Sequence, residues 1–349
     1  MSIVLGIFGL LCLLGIRFKG FHMDYIDRKA TVQINGIFVF LVLLSHFCGY
    51  YGDDVPFAYS HQYLEIRRML AQLVVTTFLF FSGFGIMESI KRKGASYVNS
   101  IPLKVVDLIN SFVIAILMYV VLNLYIGRDM SLSQVLLSFI GWESIGNSNW
   151  YLFDIIGLYL LTFAGFKMCD GKPTKSIFLT IVLMLGFMWF VGTYRQGMRW
   201  YNTLLCYGAG LLYSNSKSWI DRTVMKNVIT WIGTGVVLIV MFIYMYQRRE
   251  AVNYYIAHAV IFSVIICWGA MVLKFQSPML MWLGNHIFGI YILQRIPMVL
   301  GKHWGWMQSN PIFYGVFCFV ATILLAIIFA ELLKHLSIKK WMQQLKSRA

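Results

Sequence analysis

Apolar residues along the chain fall in long blocks separated by short polar connections. Eleven blocks occur, at 1–16, 32–50, 69–87, 108–126, 150–168, 177–194, 201–214, 227–246, 254–273, 280–300 and 312–333. A hydrocarbon core of about 30 Å is crossed by about 20 apolar residues in a helix. No extended period-two alternation points to a transmembrane barrel. The pattern therefore predicts an all-α, polytopic transmembrane helical bundle of about 10–11 helices, with the first and seventh blocks the shortest. The blocks leave little room for a soluble domain, and no low-complexity linker divides the chain, so residues 1–349 read as a single domain.

Composition agrees: 59% of the 349 residues are hydrophobic, against about 45–50% in soluble domains, and the mean hydropathy is +0.72. The net charge of +15 raises the possibility of nucleic acid, but its distribution argues against that. Alternate connections hold 20 of the 29 Lys and Arg residues, in clusters such as Lys91, Arg92 and Lys93. The opposite connections hold 8, and Arg295 alone lies within a span. This is the positive-inside asymmetry, which places the N-terminus outside and the C-terminus in the cytoplasm. The apolar run that begins at Ile3 has no basic residue ahead of it and no small-residue cleavage site behind it, so 1–16 reads as an uncleaved anchor helix.

The six cysteines show no metal-ligand spacing and lie mostly in apolar spans, as packing residues do. No phosphate-binding glycine loop occurs. The chemistry must come from polar residues inside the spans. At 1.5 Å per residue, His46 sits roughly 21 Å above the cytoplasmic start of its span, in the outer third of the bilayer. Gln294 and Arg295 lie at about the same level, and Asp154 and His258 lie roughly 6 Å below the outer ends of their helices. Five polar side chains from four helices thus share one layer. Such residues usually face the bundle interior and pair, or line a wet cavity. Snorkelling to the interface, or a structural Asp–Arg pair, is the alternative. Above the layer, Arg195, Arg199, Arg248 and Arg249 stand in outer loops that are otherwise poor in cations. They suit a sugar or lipid phosphate, or are simply solvated loop ends. Trp142, Trp150, Trp189, Trp200, Trp304 and Trp306 fit an interfacial aromatic belt, with sugar stacking as the other reading. The inner stretch "ESIKRKGASYVNSIPLK" (88–104) reads as a basic loop.

Four stretches, in order, resemble motifs of the integral-membrane acyltransferase-3 family, whose members O-acylate bacterial surface sugars. They are "INGIFVFLVLLSH" with His46 at its end, "TFLFFSGFGIMESIKRK" with Ser82, "NWYLFDIIGLYLL" with Asp154, and "IFGIYILQRIP" with Gln294 and Arg295. The resemblance spans residues 24–335, with 1–16 as an extra helix in front. Two positions depart from the family pattern. Asn35 stands where a basic residue is usual, and Gln294 replaces a histidine.

The resemblance implies an O-acetyltransferase in the bacterial cytoplasmic membrane, surrounded by membrane lipids, with no bound cofactor and no nucleic acid. Acyl-CoA, usually acetyl-CoA, would arrive from the cytoplasm as donor. A glycan or lipid-linked sugar, of a capsule or exopolysaccharide, would present its hydroxyl from outside. His46 is then the expected general base, with Asp154 or Glu143 as the carboxylate that orients it. Gln294 and Arg295 would hold the acyl carbonyl or the glycan, and Asn35, Ser82, His258, Arg195 and Arg199 complete the candidate substrate contacts. The rival expectation is a transporter or flippase for a lipid-linked glycan. The absence of a visible inverted repeat, and of a Pro-broken pair of short helices, weighs mildly against it.

Overall fold

The computed structural model describes residues 1–336 except positions 53, 58, 59 and 196. The basic positions Lys339, Lys340, Lys346 and Arg348 lie outside the described residues. The elements in order are α1 (Ser2–Leu14), β1 (Ile16–Phe18), α2 (Arg28–Gly49), α3 (Ser60–Leu70), α4 (Leu73–Lys93), α5 (Ala95–Tyr125), α6 (Leu132–Ser138), α7 (Trp150–Met168) and α8 (Pro173–Tyr194). They continue with α9 (Leu205–Val224), α10 (Val228–Tyr246), α11 (Val252–Ala270), β2 (Leu273–Phe275), α12 (Pro278–Asn285), α13 (Ile287–Leu293), α14 (Arg295–His303), α15 (Trp306–Ser309) and α16 (Pro311–Leu336).

Eight helices among the described residues are long and apolar enough to cross a membrane: α2, α4, α5, α7, α8, α10, α11 and α16. The other three predicted blocks are also helical but differ in form. The first is α1, of 13 residues. The seventh becomes α9, which begins later than its apolar block and runs on through the polar sequence to Val224. The tenth is divided into α12, α13 and α14, with breaks at His286 and Gln294. One broken span therefore exists where the sequence suggested none. The proposed inner loop 88–104 is also corrected. Apart from Gly94, held at φ +59°, the whole stretch is helix at the end of α4 and the start of α5. The only strands described are β1 and β2, which pair antiparallel with Arg17 opposite Lys274.

The break near Gln294 has a local cause. Pro297 has no N–H to give to the carbonyl four residues before it, so the ladder cannot run through. In an apolar medium a freed carbonyl needs another donor. The carbonyl freed by Pro297 is that of Leu293; beside it, the Tyr119 hydroxyl donates to the Ile292 carbonyl in the last turn of α13 at 2.7 Å, and the Tyr314 hydroxyl donates to the Met298 carbonyl of α14 at 3.0 Å. Both tyrosines are fully buried.

Glycine sets the two closest helix crossings. A Cβ on Gly36 would collide with the Leu280 carbonyl, and one on Gly284 with the Val32 carbonyl, so α2 and α12 touch backbone to backbone. Gly83 and Gly210 do the same for α4 and α9, against Tyr207 and Phe80. Close approach through small residues is how helices associate where no hydrophobic force separates them from lipid. At the end of the bundle where α2 begins, the Tyr25 hydroxyl donates to Asp221 at 2.7 Å, and Tyr213 donates to Tyr25 at 2.9 Å. Lys217 pairs with the same carboxylate at 2.6 Å. This network ties the segment before α2 to α9.

Tyr119→Phe leaves a buried carbonyl unpaired, and is expected to cost about 1–3 kcal/mol. The fall should appear in thermal unfolding of the detergent-solubilised protein. Gly284→Leu should lower recovery of folded protein far more than Gly85→Leu, since a Cβ at Gly85 meets no atom within 4 Å.

Candidate active site

A cavity of about 470 Å³ opens at the end of the bundle where α2 finishes. His46, three residues before the end of α2, borders it. The neighbouring residue Ser45 accepts a hydrogen bond from Arg67 Nε at 3.1 Å, which brings α3 over the chamber. The start of α4 contributes Gln72, Val74 and Val75. Tyr291 and Arg295 enter from the broken span. α13 stops at Leu293 and α14 restarts at Arg295, and this junction places Gln294 and the Arg295 guanidinium, with that of Arg67, in the electrostatic neighbourhood of the imidazole.

The fourth wall is the connection between α6 and α7. Its shape is built by its own polar side chains. Asn147 Oδ1 accepts from the Ile145 amide at 3.1 Å, Asn149 Nδ2 donates to the Gly141 carbonyl at 2.9 Å, and Asn123 on α5 donates to the Ile145 carbonyl at 2.7 Å. Ser144, Asn147, Ser148 and Asn149 consequently line the cavity, with Trp150 beside them. The Arg199 side chain closes the rim, where its carbonyl accepts from Gln72 at 3.3 Å.

Buried polar groups nearly always find a partner. Around this chamber several do not, among the described residues: His46 Nδ1, Gln294 Oε1, Arg295 Nε, Tyr291 Oη, Asn147 Nδ2 and Ser148 Oγ. Their gathering in one place marks a site shaped for a polar ligand, since each such group carries a desolvation cost that only a bound group or solvent can offset.

The layer inferred from helical rise is thus partly assembled. His46 and Arg295 border the chamber, Arg199 reaches it from above, and Gln294 is fully buried beside His46 without lining it. Asp154 does not line it. It is fully buried, neither oxygen has a hydrogen-bond partner among the described residues, and it lies beside Tyr151 and Tyr291. Tyr291 stands between, its ring 6.3 Å from that of His46 and 5.4 Å from that of Tyr151. His258 sits apart, in a box formed by Phe242 at 4.3 Å, Tyr246 at 5.5 Å and Tyr255 at 6.1 Å. Glu143 pairs with Arg195 at 3.0 Å, and that guanidinium lies over Trp142 and Trp200, 4.7 and 4.3 Å from the ring centroids. Arg248 and Arg249 stack on Tyr244 and Tyr246 of α10. Asn35 is three helical turns below His46, with its Oδ1 buried and unpaired. Sequence reasoning passed over Arg67, Arg68 and Tyr291. The adjacent arginines in a cation-poor connection were the available signal for the first two. Tyr291 had none, being one aromatic among many.

Together these observations define a multi-pass membrane protein with an imidazole, a carboxamide and several guanidinia around one internal chamber. A family profile described as an acyltransferase domain matches residues 33–331. The chain belongs to the acyltransferase-3 family and is a membrane acyltransferase, which decides against the transport reading. No curated protein and no solved structure matches the chain.

The Glu143–Arg195 pair braces the connection that walls the chamber. Arg195→Met is expected to lower stability by about 1–2 kcal/mol, through the lost ion pair and the lost cation–π contacts. Thermal unfolding measures this. A loss of transfer as complete as that from a His46 variant, with stability unchanged, would place the pair in the chemistry instead.

Proposed function

We propose that the protein transfers an acyl group, acetyl in the simplest case, from acyl-CoA to a sugar hydroxyl of a capsular, exo- or lipid-linked polysaccharide in the bacterial cytoplasmic membrane. The observation that carries this reading is the placement of His46: it borders the chamber with its Nδ1 unpaired, beside Gln294 and Arg295. A hydroxyl is a poor nucleophile until a base accepts its proton, and neutral imidazole suits that role near neutral pH. His46 takes the proton as the sugar oxygen attacks the thioester carbonyl. The carbon–sulfur bond then breaks, CoA leaves, and the proton passes to its thiolate. Arg295 and the Gln294 amide face the carbonyl oxygen as its charge develops. Asp154 acts from one aromatic layer behind, through Tyr291, and Glu143 is kept for the wall.

The donor reaches this chamber from the opposite, basic end, which faces the cytoplasm under the positive-inside asymmetry. There, Lys93, Tyr97, Ser100 and Lys104 line a pocket of about 310 Å³. From Tyr97 a file of hydroxyls leads inward. Tyr159 is the next phenol, Ser82 lies beside both Tyr159 and Tyr151, and Tyr151 stacks near Tyr291. Tyr97, Ser82, Tyr159 and Tyr151 each keep some accessible surface although the last two are deep in the bundle. They therefore border internal space, a passage for the pantetheine arm. Asn35, on the inner half of α2, is the remaining candidate contact on the donor side.

His46→Ala should lower transfer from labelled acetyl-CoA by about 10²–10⁴-fold with membrane abundance unchanged. Undiminished transfer removes His46 from the mechanism. Ser82→Leu, which narrows the passage, should raise the apparent KM for acyl-CoA while leaving that for the glycan near its wild-type value.

A further inference from the structure

The chamber carries more positive charge than acyl transfer needs. One cation beside the carbonyl oxygen suffices for a developing oxyanion. Here Arg67, Arg68, Arg199 and Arg295 all border the same space, and none of the described residues that line it is acidic. Three other cations near this end are occupied elsewhere: Arg195 by Glu143 and two indoles, Arg248 and Arg249 by phenols at the end of α10. Arg68 pairs with Glu65 at 2.7 Å, at an exposed position on the rim. For Arg67, Arg199 and Arg295 no carboxylate within pairing distance occurs among the described residues. Arg67 binds only a serine hydroxyl through Nε, and Arg295 Nε is buried with no partner.

Arg67 and Arg295 are partly buried, and guanidinia on one partly desolvated space repel one another and are costly to leave unpaired. Such a set is stabilised by a multidentate oxyanion, which the planar donor fork of arginine matches. The volume of about 470 Å³ falls within the range of about 300–1,000 Å³ common to small-molecule sites. It holds a sugar ring and its charged substituent together. Trp150 and the amides of Asn147 and Asn149 offer a stacking face and neutral hydrogen bonds on the same wall.

We infer that the acceptor is an acidic sugar: it carries a phosphate or a carboxylate close to the hydroxyl that is acylated, and the arginines of the chamber bind that charge. The inference rests on the acyltransferase reading and names its acceptor class. Arg295 serves the reacting carbonyl, while Arg67 and Arg199, with Arg68 at the rim, hold the acidic group. An anion at Arg67 lies next to the imidazole, which places a neighbouring hydroxyl at the base.

Binding, measured without transfer, tests this. The full-length protein in detergent is titrated with a hexose 1-phosphate, a hexuronate, the neutral methyl hexoside and inorganic phosphate, following intrinsic tryptophan fluorescence and thermal protection. At least one of the two acidic sugars should bind about tenfold or more tighter than the neutral one, as expected for one charge-assisted contact. Arg67→Gln and Arg199→Gln should each reduce that preference severalfold, with Arg199→Gln, at an exposed position, the safer variant for folding. Which acidic sugar binds distinguishes a glycosyl-phosphate linkage from an acid sugar of the polymer. The inference is overturned if the neutral sugar binds as well as both acidic ones, if none binds, if inorganic phosphate alone binds as tightly as the acidic sugars, or if both glutamine variants keep the full preference. Failed transfer with this binding intact counts against the His46 mechanism alone. Transfer to neutral and acidic sugars with equal KM counts against the acidic acceptor alone.

Discussion

Backbone carbonyls in a membrane interior must have donors, and one short segment of this protein escapes the helix ladder only because that demand is met from outside. Pro297 cannot donate, and the turn around Gln294 would be untenable in lipid. The hydroxyls of Tyr119 on α5 and Tyr314 on α16 take up the Ile292 and Met298 carbonyls. With α13 held to α5 and α14 to α16, Arg295 borders the chamber while Gln294 lies buried beside His46. The chemistry of the chamber thus depends on a hydrogen-bond substitution made by tyrosines that never touch it.

That dependence explains which parts of the architecture were legible beforehand. Block length and the alternation of Lys and Arg identified the helical class, because both follow from the thickness and charge of a bilayer. Helical rise gives a residue's height along its helix but not its azimuth. Asp154 stands behind Tyr291, and His258 faces the box made by Phe242, Tyr246 and Tyr255. Hydropathy also misjudged α9. Its second half carries Ser214, Lys217 and Asp221, and is polar because it packs against Glu88, Lys91 and Tyr25. A window average registers the polarity but not the partners.

The wall formed by residues 141–149 was the hardest part to read. It has no periodicity, and its shape comes from side chains bonding to nearby backbone: Asn147 to Ile145, Asn149 to Gly141, and Asn123 from α5 to Ile145. Asn and Ser are favoured in such loops for this reason, so composition announces a turn without saying what it encloses. The spare donors left over, on Asn147 and Ser148, are what make the loop a surface for a ligand instead of a simple connection.

Charge then divides the labour between the two ends. Basic residues gather where α2 begins, including Arg17 and Lys274 on the paired strands, and the positive-inside asymmetry accounts for their number without invoking catalysis. At the other end cations are few, so each needs its own explanation. Three of them are engaged by a carboxylate or by aromatic faces and help hold the loops in place. Of those that border the chamber, Arg68 pairs with Glu65, while Arg67 and Arg295 have no carboxylate partner among the described residues and both lie near His46, whose Nδ1 is unpaired. Under the function proposed above, a donor arm would leave the lysines of the basic end, pass along neutral hydroxyls and meet positive charge again at the chamber. There the arginines would face both the thioester carbonyl and the charge of an acidic acceptor, so that one cluster would serve two substrates arriving from opposite ends.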